Sequence, residues 1–456
     1  MDLRQSVILA LKNNYRVQVD TLDVAVADQN VRKEKAAFDP FIGGQATNFR
    51  QSGYSGQYTQ GEGLYQSAYV GGKLPTGTSY EVDGYSFRLK DVSVNQERQT
   101  GVTVTVRQNL MQGLGLAANL APIRVAAKNA AISRQAFRQE VSELVADVQE
   151  AYFDIVLARE NARVAKESFD LATRLFEENK RRAALGSMAG SDIFQAQSEV
   201  AARKENLYEA ERLLGDAQNN FRLLLSGEAA QAVTVMKIDL TPLPTPQLVK
   251  VDARNDFTTA LAKRPDYQQA VLGLERDQID ALRASNAALP DLEAFVQGSF
   301  SGADRDLNQS WNRVRADDEK PDYAMGLSLK YDIGNRAANA DKIAARKHAR
   351  KSEVTLRHLE RQIAVDLDDA ARRIDCDWNR LAMARESREL AQESLRAEQK
   401  LYDTGNSSTF VLLRLQTDLM DAQLRELSAE NDYRKSIVDY QLKLGTMLDA
   451  YDIVMP

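Results

Sequence analysis

Apolar and polar side chains follow two different periods along this chain, and each period occurs in two separate regions. Between Phe137 and Phe176 the apolar positions recur in alternating steps of four and three residues. That spacing is the period of about 3.5 residues by which a helix supercoils against a neighbour. Residues Leu356–Leu381 follow the same period. By contrast, Val102–Val106 and Met325–Tyr331 alternate between apolar and small or polar side chains, as strands do. The pattern predicts very long helices preceded by strands.

The spacing of glycines shows that this order of elements occurs twice. Gly115 and Gly334 each stand just before a long helical stretch, and Gly186 and Gly405 each follow 71 residues later. Residues 123–241 and 322–455 contain no proline. Each of these stretches is interrupted at one matching place, by Gly186 in the first and by Gly405 in the second. Such a long-range repeat predicts two structural halves of one architecture.

The first half is predicted to cover residues 1–245 and the second half residues 246–456, with Thr241–Pro246 as an extended, proline-rich linker. In the first half we expect helices, strands over 41–110, a long helix over 116–185, a tip at 186–191 and a return helix over 191–226. In the second half we expect helices, strands over 292–332, a long helix over 336–404, a tip at 405–409 and a return helix over 409–446. The strand alternation changes phase near Gly84, which predicts a β-bulge there.

Composition excludes several classes of function. The net charge is −6 and no basic cluster is evident, so a nucleic-acid partner is not expected. The single cysteine, Cys376, excludes an internal disulfide framework, and two histidines leave little scope for a metal site. The sequence contains no run of about 18 apolar residues, so no transmembrane helix is predicted. The amino terminus has no apolar signal region, so the chain either is cytosolic or begins after a removed signal peptide.

The only pattern that resembles a cofactor site is Gly113-Leu-Gly115-Leu-Ala-Ala118. It begins like a dinucleotide-binding fingerprint, but no second strand follows within the length of a βαβ unit. These glycines are better interpreted as a corner between strand and helix. No nucleophile motif, HExxH or phosphate loop is present, so neither a catalytic residue nor a cofactor is expected and the chain is not predicted to be an enzyme.

The two turns between the long and return helices are the best candidates for function. Gly186, Ser187, Gly190 and Ser191 form the first, and Gly405, Asn406 and Ser407 form the second. Glycine ends a helix and serine caps the next one, so ordinary helical hairpins explain part of this composition. Their position at the far ends of rods of roughly 100 Å suggests a docking role.

Taken together, the chain resembles the TolC family of outer-membrane efflux and secretion channels. The resemblance is carried by Ala10–Asn14, by Arg264-Pro-Asp266, by the two strand-to-helix corners and by the paired turns. It implies a mainly α fold with a transmembrane β-barrel portion. Long coiled-coil helices from three copies would form a periplasmic α-barrel, topped by a shared antiparallel β-barrel in the outer membrane. In the family each subunit contributes four strands to a shared barrel of twelve strands.

The resemblance further implies a passive exit duct of a tripartite efflux pump or type I secretion system. Its partners would be a periplasmic adaptor and an inner-membrane transporter at the helical tips, and outer-membrane lipid around the barrel. Alternation within the strands would turn one side chain in two toward lipid, namely Val296, Phe300, Met325, Leu327 and Leu329.

Alignment with the family places Phe410 and Arg414 toward the tunnel axis at the periplasmic entrance. Asp192 and Tyr402 match positions that latch the closed entrance in relatives, although the usual basic partner is here Ser407. The alternative for the gate is that Phe410 packs within its hairpin and Arg414 pairs with Asp418. Two other functions remain open: a soluble coiled-coil scaffold or adaptor, and an oxidoreductase suggested by the glycine corner alone.

Overall fold

The computed structural model describes residues 1–53, 59–91, 97–185, 190–226, 240–316, 321–404 and 406–453. The first half begins with α1 (Leu3–Asn13), α2 (Tyr15–Lys35) and a 3-10 turn (Ala36–Phe38). Four strands follow, β1 (Phe41–Gly53), β2 (Thr59–Lys73), β3 (Thr78–Asp91) and β4 (Glu97–Asn109). The half ends with α3 (Gly115–Asn119), α4 (Ala121–Ala184) and α5 (Gly190–Leu225).

The second half contains fewer strands and one helix that the sequence pattern did not predict. Its elements are α6 (Ala253–Lys263), α7 (Pro265–Ala287), β5 (Asp291–Asp304), α8 (Leu307–Arg315), β6 (Asp322–Lys330), α9 (Arg336–Asp403), α10 (Thr409–Leu444) and a 3-10 turn (Asp449–Tyr451). The short α8 interrupts the expected strand region at 292–332. Its nine residues include only three large apolar side chains, Leu307, Trp311 and Val314, so the segment is too short to show the sustained period that marks the long helices.

Internal contacts divide the chain into two units. One contains Met1–Val24, Arg134–Gln269 and Arg357–Pro456, and the other contains Ala25–Ser133 and Ala270–Leu356. The first unit holds the helical cores and the ends of the long helices. The second unit holds the sheet, α3 and α8. The divisions fall inside α2, α4, α7 and α9.

The strands form one antiparallel sheet in the order β1-β2-β3-β4-β5-β6. All four strands of the 41–110 region join the sheet, so six strands per chain replace the four that the family resemblance implied. The predicted bulge is wrong: Gly84 pairs in register with Ala68 on β2 and with Val102 on β4. The change of phase arises instead because Tyr85 and Phe87 lie on the opposite face from Val82, where their rings stack on Tyr65 and Phe49.

The strand-to-helix corners use glycine as the sequence pattern indicated. Gly115 and Gly334 have φ values of 81° and 87°, a left-handed conformation that other residues rarely adopt. The amide of Asn119 donates to the carbonyl oxygens of Gly113 and Gly115. These bonds secure the turn from β4 into the helices.

Two helical cores lie in the first unit. Tyr152 on α4 is fully buried in one core, and Tyr433 on α10 is fully buried in the other. Both hydroxyls donate to backbone carbonyls at the ends of the linker: Tyr152 to Thr241, its first residue, at 2.9 Å, and Tyr433 to Gln247, which directly follows it, at 2.8 Å. The extended linker is therefore held by one buried tyrosine from each repeat. Among the residues that the structure describes, no helix is both long enough and apolar enough to cross a membrane.

Candidate functional site: the helical tips and the strand sheet

The second helical tip is built from the end of α9 and the beginning of α10. Ser408 caps α10, and its hydroxyl accepts from the backbone nitrogen of Val411 at 3.4 Å. The backbone nitrogen of Asn406 donates to the oxygen of Leu401 at 2.9 Å, and the hydroxyl of Ser407 donates to Glu398. Gly405 lies outside the described residues. The local sequence thus closes this turn through its own caps, as its serines and asparagine predicted.

The first tip is described less fully. Gly186 and Ser187 lie outside the described residues, and Gly190 and Ser191 open α5. Asp192 is half-buried in the first turn of α5, where a carboxylate is favoured by the helix dipole. Within the described residues its side chain makes no hydrogen bond or ion pair. The hydroxyl of Tyr402, the other residue at a latch position, has a partner on another helix.

That partner is Asn179 on α4. The hydroxyl of Tyr402 donates to Oδ1 of Asn179 at 2.7 Å, and Nδ2 of Asn179 donates to the hydroxyl of Thr409 at 3.3 Å. All three residues are buried, and Leu175, Leu412 and Leu413 pack around the ring. The guanidinium of Arg182 lies 4.9 Å from the ring centre. One polar chain therefore links α4, α9 and α10 in a water-poor setting, where hydrogen bonds are strong.

Phe410 and Arg414 lie on the opposite side of α10 from this buried cluster. Phe410 is 58 % exposed and Arg414 is also exposed. They are four residues apart and share one helical face. Arg414 makes no ion pair with Asp418 or with any other described residue. The arrangement leaves an aromatic ring and a guanidinium available to a neighbouring surface.

Arg203 on α5 is a residue that the sequence reasoning missed. Its side chain is only 3 % exposed and pairs with Glu199 at 2.8 Å. The other nitrogens donate to the hydroxyl of Ser168 at 3.0 Å and to α10, at the oxygen of Leu413 and the hydroxyl of Thr417. The spacing of Glu199 and Arg203 is that of a common surface pair, so the sequence carried no signal for this burial. Arg203 joins three helices below the tips.

The Arg264-Pro-Asp266 motif connects the start of α7 to the end of α10. The guanidinium of Arg264 donates to both carboxylate oxygens of Asp266, the shorter bond measuring 2.7 Å, and to the carbonyl oxygen of Lys443 at 3.2 Å. Burial alone would raise the pKa of Asp266, but the hydrogen bonds and charge of Arg264 outweigh it and lower that pKa. The motif thus has a structural role in the second repeat.

The six-stranded sheet presents two chemically different faces. One, here called the apolar face, carries alternate residues of each strand: Ile42, Val70, Val82, Val102, Val104, Val106, Val296, Phe300, Met325, Leu327 and Leu329. Leu327 is 70 % exposed, and the other predicted lipid-facing residues are exposed as well. The register therefore brings Val296, Phe300, Met325, Leu327 and Leu329 onto a single surface.

The opposite, polar face carries Gln45, Thr47, Asp83, Thr103, Thr105, Gln297, Ser299 and Ser328. Its aromatic rings fold over glycines on neighbouring strands. A Cβ added at Gly63 would lie 2.2 Å from the ring of Phe49, and one at Gly326 would lie 2.8 Å from that of Phe295. Because these rings cover the backbone at glycines, they project little from the polar face although they are large.

A match to a family model identifies the family of the chain. The model, described as outer membrane efflux protein, matches residues 7–227 and 257–445, which covers most of both halves. The chain belongs to the outer membrane efflux protein family. The family is one of outer-membrane proteins with a periplasmic helical part, so the resemblance seen in the sequence is confirmed in family, fold class and location.

Individual relatives are distant. The cobalt-zinc-cadmium resistance protein CzcC of Cupriavidus metallidurans is 26 % identical over 53 % of this chain. That match spans 60 % of CzcC, which is less than two thirds of its length. The outer membrane protein TolC of Vibrio cholerae is 20 % identical over 80 % of this chain and 81 % of its own length.

A solved structure extends the similarity to the whole fold. The CmeC outer membrane channel of Campylobacter jejuni matches with a TM-score of 0.74 and 15 % identity, covering 97 % of this chain and 85 % of CmeC. At that identity the comparison shows the fold alone. The family and its structural relatives are channels and not enzymes. Within the described residues no group of three or more His, Cys, Asp or Glu side chains could hold a metal ion.

Proposed function

We propose that this chain is one subunit of a passive, trimeric exit duct through the outer membrane. The carrying observation is the single sheet with one apolar and one polar face, in which each outer strand, β1 or β6, pairs with a described strand on one edge only. An isolated sheet leaves the backbone groups of both edges without partners, and a membrane tolerates sheets only when they close. Pairing β1 of one copy with β6 of the next would close the sheet with its apolar face toward lipid.

The number of strands sets the width of the proposed barrel. Three copies with six strands each give eighteen strands. Because barrel diameter grows roughly in proportion to strand number, the lumen would be about one and a half times as wide as in a twelve-stranded barrel. Barrels of about 16 to 18 strands leave an aqueous channel. The polar face suits such a lumen, because its aromatic rings lie over glycines and project little from the sheet.

The helical tips are the proposed site of gating and docking. Phe410 and Arg414 supply the exposed ring and charge that would narrow the periplasmic entrance when three copies converge. Tyr402 and Asp192 would support the closed tips, Tyr402 through its bond to Asn179. An adaptor would contact the turns at Gly186, Ser187, Gly190, Ser191, Gly405, Asn406 and Ser407, and an inner-membrane transporter would supply energy and cargo.

A pair of matched substitutions tests the membrane barrel. Leu327→Lys places a charge on the apolar face, and near the bilayer midplane it should destabilise the inserted protein by about 2–4 kcal/mol. Ser328→Lys changes the neighbouring position on the polar face and should have little effect. Folding into lipid vesicles, followed by urea titration, measures both. Equal destabilisation by the two lysines would contradict a barrel with this orientation.

Conductance tests the gate. Purified protein should sediment as a trimer in detergent and conduct ions in a planar bilayer. Phe410→Ala should raise conductance by removing the aromatic constriction. Arg414→Asp should shift selectivity toward cations, because three guanidinium groups that favour anions would be replaced by carboxylates. If both variants conduct like the parent, the gate assignment is wrong. A monomer without conductance would favour the soluble scaffold instead.

A further inference from the structure

Helix α8 lies on the apolar face of the sheet, at the end where β3 and β5 finish. Asp306 caps it, accepting from the backbone nitrogen of Asn308 at 2.9 Å. Positions Gly84 and Gly302 belong to the same face as Val102 and Phe300 in the strand register. A Cβ built at Gly84 would lie 4.0 Å from the ring of Trp311. The helix therefore covers the outward side of the proposed barrel and not its lumen.

A cradle of small residues receives the helix. A Cβ at Gly302 would lie 2.6 Å from the carbonyl oxygen of Ser310 and 2.9 Å from the Cβ of Arg313. Thr100 pairs directly with Gly302, and both Thr100 and Ser310 are fully buried. The guanidinium of Arg313 also pairs with Asp304 at 2.9 Å. Such close contact between helix and strand backbone shows that α8 is docked at a defined place.

The two sides of α8 differ in chemistry. Ser310, Trp311 and Val314 turn toward the sheet, where Ser310 is buried and the other two are half-buried. Asn308 and Asn312 remain exposed on the other side. A polar outer surface would be costly among acyl chains, but a short helix with one apolar and one polar side suits the headgroup layer. Tryptophan is enriched at that depth.

We propose that α8 is an interfacial helix that lies in the lipid headgroup layer of the outer leaflet and marks the upper limit of the apolar belt. This inference rests on the proposed membrane barrel. Helix α8 lies at one end of the sheet, and β4 and β6 lead into α3 and α9 from the opposite end. The helical part of the protein is periplasmic. The partner is thus the lipid surface on the external side.

The chain contains only two tryptophans, so the native ring reports on depth. Trp378→Phe leaves Trp311 alone. In vesicles of phosphatidylcholine brominated near the headgroup, Trp311 fluorescence should be quenched about twofold more than with bromine near the chain ends, as expected for an interfacial ring. Trp311→Phe leaves Trp378 alone, and its fluorescence should show no bromine quenching.

A third protein separates this inference from the proposed function. Leu327→Trp, made in the background that lacks both native tryptophans, should be quenched most strongly by deep bromine. If Leu327→Trp is quenched and Trp311 is not, or if Trp311 prefers deep bromine, the inference about α8 is overturned and the barrel stands. If Leu327→Trp escapes bromine quenching, the proposed barrel itself fails, and α8 with it.

Two glycine substitutions on one strand test the docking. Gly302→Ala places a methyl group against the backbone of α8 and should displace it, lowering shallow quenching of Trp311 at least about twofold. Gly298→Ala changes the same face of β5, where nothing lies within 4 Å of the added Cβ, and should leave the quenching unchanged. Equal quenching in both variants and the parent would show that the cradle does not hold the helix.

Discussion

Removing one hydroxyl group at the second tip should loosen the periplasmic end of the long helices. Tyr402 is 2 % exposed and Asn179 is fully buried, and the bond between them measures 2.7 Å. Tyr402→Phe keeps the ring in its apolar setting and removes only the donor. Oδ1 of Asn179 then stays buried without a partner, which costs roughly 1–3 kcal/mol.

That free energy converts into a measurable change in local opening. Since each 1.4 kcal/mol is about tenfold in an equilibrium constant, the population of opened tips should rise roughly 5- to 150-fold. Hydrogen exchange of the purified protein, read by mass spectrometry over residues 395–404 and 409–416, measures this population. Exchange in the cores around Tyr152 and Tyr433 should be unchanged. In a planar bilayer, the open probability of the variant should also rise.

Tyr208→Phe is the matched control, because its ring on α5 is 59 % exposed and its hydroxyl can bond to water. It should leave exchange at the tips unchanged. A Tyr402→Phe protein whose tips exchange at the parental rate would show that the buried bond contributes nothing to closure, and the proposed supporting role of Tyr402 would be lost.

Two further predictions concern stability. Gly445→Ala should destabilise the protein by about 2 kcal/mol or more, because φ is 78° there and the new Cβ would lie 2.9 Å from the backbone nitrogen of Arg264. Gly215→Ala, inside α5 with nothing within 4 Å of its Cβ, should instead stabilise by up to about 1 kcal/mol, and thermal unfolding in detergent compares them. The lowered pKa of Asp266 contributes stability that is present above its unfolded pKa near 3.8 and is lost as pH falls further. The Asp266→Asn protein should therefore be less stable than the parent at pH 7 and should lose less stability on acidification below about pH 4. Measuring the free energy of unfolding against pH tests this, and a slope equal to the parent's would contradict it.

Several features of this protein could be predicted from its sequence because they depend on neighbours along the chain. A helix bonds each residue to one four positions away, so the apolar period and the absence of proline indicated the long helices. Serine caps and left-handed glycines act within a single turn, which is why Ser408, Gly115 and Gly334 were informative. The duplicated order of these local signals also carried the resemblance to the family, which the family match confirmed.

The tertiary structure decided which distant residues meet. Arg203 looks like half of a surface pair with Glu199, yet α4 and α10 bury it, because burial depends on helices far apart in sequence. The hydroxyl of Tyr402 bonds to Asn179, 223 positions away, a partner that no local pattern indicated. Likewise, alternation within strands predicted two faces, but only the pairing register showed six strands, no bulge at Gly84, and α8 seated against Gly302. Contacts of this kind depend on packing between elements, for which a short stretch of sequence carries no periodic signal.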